Sequence, residues 1–158
     1  GRTVVDLWGG LKAPGGDPWD RDTISIVYSC TKGASALTAH MAADRGLLDL
    51  DAPVARYWPE FEQGGKEGAL VSMMLDHSVG VPAFRTPLKD GAFYDYDYMC
   101  AALAAEPAFW KPGTRNGYHG VNSAWTVGEM VRRSTGKRIE RSNSITLLRP
   151  SWISTSTG

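Results

Sequence analysis

The clearest periodic signal in the chain is helical. From about Cys30 to Arg45, apolar Ala34, Leu37 and Met41 recur at i, i+3 and i+7, and Gly46 stands where a helix-ending glycine belongs. Two shorter runs before it follow a period of two or are β-prone: Thr3 to Trp8, closed by Gly9-Gly10, and Thr23 to Tyr28, which leads into Ser29. The first predicts a strand, and the second is a β-prone lead into the serine. The first opens as if already under way, so a preceding segment is expected. Between them, Lys12 to Asp22 carries Gly/Pro clusters and reads as loop or hairpin. Short helices are expected around Val54 to Trp58 and Val71 to Asp76, the second broken by His77 to Pro82. A Pro-, Gly- and aromatic-rich loop runs to Tyr96. Asp97 is the expected cap of a helix through Ala105, and Asn122 or Ser123 of one through Arg133 with Gly136 as its stop.

The pattern fails near the end. Between Glu140 and Gly158, eight of nineteen residues are Ser or Thr and only Glu140 is acidic. Neither helical nor strand periodicity holds there. The chain is therefore expected to divide into a domain over 1–138 and a divergent tail over 139–158, disordered or read from a shifted frame.

Composition narrows the function classes. The 158 residues suffice for one domain with a hydrophobic core. Lys+Arg and Asp+Glu are both 17, so no net field attracts nucleic acid or an anionic membrane. No apolar run approaches the roughly 20 residues that span a bilayer. The opening residues do not read as a secretory signal, and the sequence assigns no compartment. Cys30 and Cys100 read as two reduced, buried thiols rather than a disulfide framework.

The strongest candidate chemistry is Ser29-Cys30-Thr31-Lys32 at the start of the first helix. A serine hydroxyl needs a neighbouring base to act as nucleophile. Residues three apart on a helix share a face, so Lys32 can reach Ser29 Oγ. A buried lysine can serve as base or hydrogen-bond relay, and the helix N-terminus favours negative charge near the serine. The competing reading is a helix-capping serine beside a solvated lysine. The small residues Gly33, Ala34 and Ala36 favour a deeply packed, buried helix. Tyr118, in the loop before Asn122, is the second candidate. A phenol near a cationic lysine can exchange protons with a serine; alternatively it is a half-buried loop tyrosine bonded to backbone.

Other chemistries lack their patterns. There is no G-x-S-x-G, phosphate loop, zinc spacing or second cysteine near either thiol, so no cofactor or metal is expected. His40, inside the first helix, reads as a packing residue, and His77 as fixing the turn at Gly80 through a backbone hydrogen bond.

Taken in order, these segments resemble the serine β-lactamase-related hydrolases: class C β-lactamases, penicillin-binding carboxypeptidases and especially the bacterial esterase-like branch. The resemblance runs from about Gly1 to Lys137. Val4 to Gly10 resembles the first strand pair. Ser29-Cys30-Thr31-Lys32-Gly33 resembles the nucleophile motif, and Arg45 to Val54 the connection after it. Leu75 to Pro82 is similar to the family's "LL-x-H-x-S/A-G-L" turn. Pro112-Gly113-Thr114 with Tyr118 resembles the second catalytic element, and Val127-Gly128-Glu129 with Thr135-Gly136-Lys137 the helix that follows.

The resemblance implies an α+β, β-lactamase/transpeptidase-like fold: an antiparallel sheet flanked by helices, with a helical lobe. It implies Ser29 as the residue acylated by a small ester or amide, Lys32 and Tyr118 as its acid/base partners, and the Ser29 N–H as half of an oxyanion hole. Where lactamases and carboxypeptidases read Tyr-x-Asn, this chain reads Tyr118-His119-Gly120, which favours ester cleavage. The K-T-G-like third motif and the closing C-terminal strands find no counterpart. Losing one oxyanion donor typically costs ~10²–10³ in rate, so these residues alone are expected to be weakly active or inactive. A β-lactamase, a D-alanyl-D-alanine carboxypeptidase, a penicillin-binding sensor and a non-catalytic remnant are the alternatives.

Overall fold

The computed structural model describes residues 1–139. The tail expected beyond the domain lies, except for Ile139, outside the described residues.

Four α-helices and three short 3₁₀ turns make up the described secondary structure. They are α1 (Cys30–Asp44), α2 (Ser72–Leu75), α3 (Tyr96–Ala105) and α4 (Ser123–Thr135), with 3₁₀ turns at Val54–Arg56, Pro59–Phe61 and Ala92–Tyr94. The core lies where α3 and α4 meet α2 and the first two 3₁₀ turns. Trp58, Phe61, Met74, Val79, Met99 and Met130 are essentially inaccessible there. Burying side chains of this size contributes about 1.5–3 kcal/mol each before ordering costs.

The helix ends follow from local chemistry. Gly46 adopts φ +69°, its N–H meets Ala43 O at 2.8 Å, and the Leu47 N–H meets Ala42 O at 2.9 Å. This paired closure is the glycine-terminated helix end that the sequence predicts. Gly136 ends α4 likewise, with φ +73° and its N–H on Arg132 O.

At α3 the cap is Asp95, not Asp97. Asp95 has extended backbone, and its Oδ1 accepts from the Tyr98 N–H at 3.0 Å. Asp97 is already inside the first turn and pairs with Arg138 at 2.9 Å. At α4, Asn122 holds the cap position without capping; its side chain is used elsewhere. The C-terminal carbonyls of α3 find a buried cation instead of water. Lys66 Nζ donates to Ala104 O at 3.0 Å and Glu106 O at 2.5 Å, over the Phe61 ring. A second buried charge, Glu129, accepts from Arg132 at 2.5 and 2.6 Å and from Arg133 at 2.6 Å.

The described residues differ from several expectations. Among the described residues, β pairing is limited to isolated bridges at Leu11–Pro18 and Pro53–Leu70. Thr3–Trp8 and Thr23–Tyr28 are unpaired, and Val4, Leu7 and Ile24 are more than four-fifths exposed. Alternation records a preference for a pleated surface, but a strand forms only when a neighbour takes its backbone groups.

Helix α1 is not a deeply buried element. It packs on α4 and buries only Thr38, Ala39 and Ala42, while Gly33 and Ala34 face open space or solvent. His40 is consequently exposed rather than packed. Both cysteines are free thiols, but only Cys100 is buried; Cys30, in the first turn of α1, is exposed. Burial and the adjacent Glu129 carboxylate push the Cys100 thiol upward, which keeps it protonated. No helix among the described residues is long and apolar enough to cross a membrane.

Candidate active site

Ser29 stands at the N-cap of α1, yet its hydroxyl makes no capping bond. Oγ instead accepts from Lys32 Nζ at 3.2 Å and from the Tyr118 hydroxyl at 2.7 Å. Lys32 reaches Ser29 because three residues make nearly one helical turn. Lys32 Nζ also donates to Gly120 O at 2.5 Å and lies 4.8 Å from the centre of the Tyr118 ring. Tyr118 is exposed and bonded to a side chain, not half-buried and bonded to backbone. All three sequence candidates are thus brought together, by two segments about 90 residues apart.

Electrostatics favour proton exchange. The hydrogen bond with Ser29, then that with Lys32 and its positive charge, draw the Tyr118 phenol below the ordinary tyrosine range. Tyr28, just before Ser29, has φ +43°, a region that non-glycine residues seldom occupy and that recurs at functional sites.

The loop bearing Tyr118 is stapled to residues 76–81 by a ladder of bonds. Asn116 Nδ2 donates to Asp76 O, the Gly117 N–H to His77 O at 3.2 Å, and the His119 N–H to His77 Nδ1 at 3.2 Å. The Val81 peptide is gripped twice: its N–H donates to His119 Nε2 at 3.0 Å, and its carbonyl accepts from Asn122 Nδ2 at 2.9 Å. Trp110 braces the same loops, its Nε1 donating to Ser78 O at 3.0 Å.

These bonds fix the state of His119. Nε2 accepts, so Nδ1 carries the proton and donates to Gly117 O at 2.6 Å. The ring is buried and neutral; burial is the main cause holding its pKa below the usual histidine value. His77 acts across the ladder on the Tyr118 loop rather than on the turn at Gly80. Gly80 serves the turn itself: φ is +91°, and a Cβ there would stand 2.6 Å from Trp110 O.

A cavity of ≈ 230 Å³ opens beside Ser29. Ser29, Lys32 and His77 contribute to its polar lining, and Ala36, Met74 and Val127 to its apolar lining. Among the described residues, no group of three His, Cys, Asp or Glu side chains could hold a metal ion. Two contributors escaped sequence reasoning. Gly120 acts through its carbonyl, which has no sequence signature. His119 had a legible signal, adjacency to Tyr118, but its partner Val81 lies 38 residues away.

Residues 1–158 match the Beta-lactamase family. The esterase/beta-lactamase LipL of Mycobacterium tuberculosis is 36% identical over 141 residues, covering 87% of this chain and 32% of that protein. Esterase EstB of Burkholderia gladioli is 30% identical over 139 residues, covering 77% and 35%. The chain therefore spans about a third of the length of these curated relatives. A solved family VIII carboxylesterase superposes with a TM-score of 0.82 at 43% identity, covering 91% of this chain and 38% of that one. EstA from Arthrobacter nitroguajacolicus gives 0.73 at 35% identity, covering 79% and 34%. The described helices thus adopt a β-lactamase/transpeptidase-like arrangement, and the chain belongs to the Beta-lactamase family.

Proposed function

We propose that this chain carries the nucleophile portion of a serine esterase that cleaves small carboxylic esters through an acyl-enzyme. The observation that supports this most directly is the position of Ser29 Oγ, within hydrogen-bond reach of both Lys32 Nζ and Tyr118 Oη. With the phenol ionised, the 2.7 Å contact is made by Ser29 donating, so Tyr118 accepts the proton as Ser29 Oγ attacks the ester carbonyl. Tyr118 then returns that proton to the departing alkoxide, leaving an alcohol and an acyl-serine. A water molecule attacks the acyl carbon, gives its proton to Tyr118, and the carboxylic acid departs as Ser29 is reprotonated. Lys32 steadies the phenolate throughout, and the Ser29 N–H supplies one oxyanion donor.

Ester rather than lactam or peptide cleavage is favoured by the fate of Asn122. It is the one asparagine just beyond Tyr118, and its amide is spent on Val81 O inside the protein. In the whole protein, Thr3–Trp8 takes its place in the antiparallel sheet that the family resemblance implies.

The test is hydrolysis of p-nitrophenyl butyrate together with covalent labelling by a fluorophosphonate. Labelling at Ser29, with both signals lost in Ser29→Ala, is the expected result. Hydrolysis that survives Ser29→Ala would overturn Ser29 as nucleophile. Turnover of nitrocefin in preference to the ester would replace the esterase reading with a lactamase.

A further inference from the structure

One member of the ladder stands among the reacting groups without a part in the chemistry above. His77 is half-buried and contributes to the same cavity as Ser29 and Lys32. Its ring lies 5.1 Å from the Tyr118 ring and 5.5 Å from that of His119. Its backbone is left-handed, φ +67°, a conformation that few residues other than Gly, Asn, Asp and His adopt. In this conformation one residue holds both chain neighbours of Tyr118: its carbonyl takes the Gly117 N–H, and its ring Nδ1 takes the His119 N–H.

We propose that His77 is a positioning residue for Tyr118. The lone pair on Nδ1, present only when the neutral ring carries its proton on Nε2, fixes the peptide flanking Tyr118 and so the approach of its hydroxyl to Ser29. The proposal rests on the Ser29–Tyr118 reading given above. Protonating Nδ1 would set one N–H against another and release the His119 side of the loop.

The surroundings decide which form prevails. Burial and the Lys32 ammonium both favour the neutral ring, and the Asp76 carboxylate next in the chain favours the charged one. The stacked His119 is neutral, with both nitrogens engaged, and Tyr118 contributes a phenol on the other side. The net effect holds the His77 pKa below the ordinary 6.5. The latch is therefore complete at neutral pH and is lost as pH falls through that lowered value.

The decisive comparison is His77→Gly against His77→Asn. Both accept a left-handed backbone and both lack the ring; only Asn restores an acceptor near the Nδ1 position, and it does not titrate. The first readout is the ultraviolet titration of the Tyr118 phenol, isolated by difference from Tyr118→Phe. It needs no turnover, so it stands apart from the outcome of the Ser29→Ala assay. His77→Gly is expected to move the phenol up toward an ordinary tyrosine and His77→Asn to leave it nearly in place. Where ester hydrolysis is measured, His77→Gly is expected to lower kcat roughly 10- to 100-fold with little change in KM, since small misplacements at a reacting centre cost that much. His77→Asn is expected to recover most of kcat and to lose the acid-side fall of the wild-type profile. A folded His77→Gly with an unmoved Tyr118 titration overturns the proposal. If His77→Gly fails to fold, imidazole NMR of the wild type decides: a neutral His77 ring protonated on Nε2 supports the proposal, and one protonated on Nδ1 overturns it.

Discussion

Lys32 Nζ donates to Gly120 O across 2.5 Å while also reaching Ser29 Oγ at 3.2 Å. One ammonium thus ties the start of α1 to the loop that carries Tyr118. Lys32→Met keeps much of the stem and removes both ties. Ester turnover is expected to fall by roughly 10²–10³-fold, the usual scale for a lost charge-stabilising donor. Lys32→Arg should not restore it, because a planar fork cannot reproduce a compact ammonium between two oxygens. Steady-state rates on p-nitrophenyl butyrate check this, and near-wild-type turnover in Lys32→Met would remove Lys32 from the mechanism.

Gly117 precedes Tyr118 at a point with no room for a side chain. A Cβ there would lie 2.5 Å from Trp110 Cη2. Trp110 cannot easily swing away, because its Nε1 is bound to Ser78 O. Gly117→Ala is expected to cost about 1–3 kcal/mol, the range for overpacking, and to disturb Tyr118. Gly136→Ala is the control: it meets nothing within 4 Å and carries only its left-handed backbone, φ +73°, worth about 1 kcal/mol. Urea midpoints measure both, and a Gly117→Ala no worse than its control would show that the loop has slack.

Glu129 is fully buried, and its carboxylate is shared by Arg132 and Arg133, which remain partly exposed. Burial alone would raise its pKa; the two guanidiniums outweigh this and lower it below 4.5. The sign follows from linkage. The ion cluster stabilises the fold above the unfolded carboxyl range, and that stability disappears as pH falls through the depressed native value. Glu129→Gln is expected to cost about 2 kcal/mol near neutrality, typical of hydrogen bonds to charged groups. Its stability should also vary less with pH on the acid side than that of the wild type. Denaturation midpoints compared at neutral and acid pH test both statements.

Lys66 caps α3 from a buried position. Lys66→Met fills the space of the stem but leaves the carbonyls of Ala104 and Glu106 without that donor. A loss of about 1–3 kcal/mol is expected, the cost of stranding buried polar groups, together with faster amide exchange in the last turn of α3. Unchanged exchange there would mean that water replaces the ammonium.

The parts legible in the sequence were those decided within a few residues. The α1 span, the glycine stops at Gly46 and Gly136, and the Ser29–Lys32 contact all follow from helical geometry. Tyr118 could be placed beside Ser29 only through the order of family-like segments, because no local rule links residues 89 apart. His77 reads in the sequence as a local turn residue for the same reason; its partners Gly117 and His119 lie about 40 residues on. Asp95 and Asp97 offer the same carboxylate, and only the extended backbone at 95 separates a cap from a first-turn acid. The buried-helix expectation for α1 assumed that small residues imply close packing, whereas here they border open space.

The ladder also bears on how the protein reaches and leaves its native state. Its rungs join residues roughly 38 to 42 apart, with α3 in the intervening chain. Contacts of that span form only after the intervening loop has closed, at an entropic cost that nearest-neighbour contacts avoid. The Ser29–Lys32 contact can form with the first turn of α1, whereas the Tyr118 contact requires closure of a chain segment of 89 residues. Brief native-state openings that unzip 76–81 from 116–122 would therefore withdraw Tyr118 while leaving α1 wound, so the serine and its lysine would outlast their phenol at the threshold of unfolding.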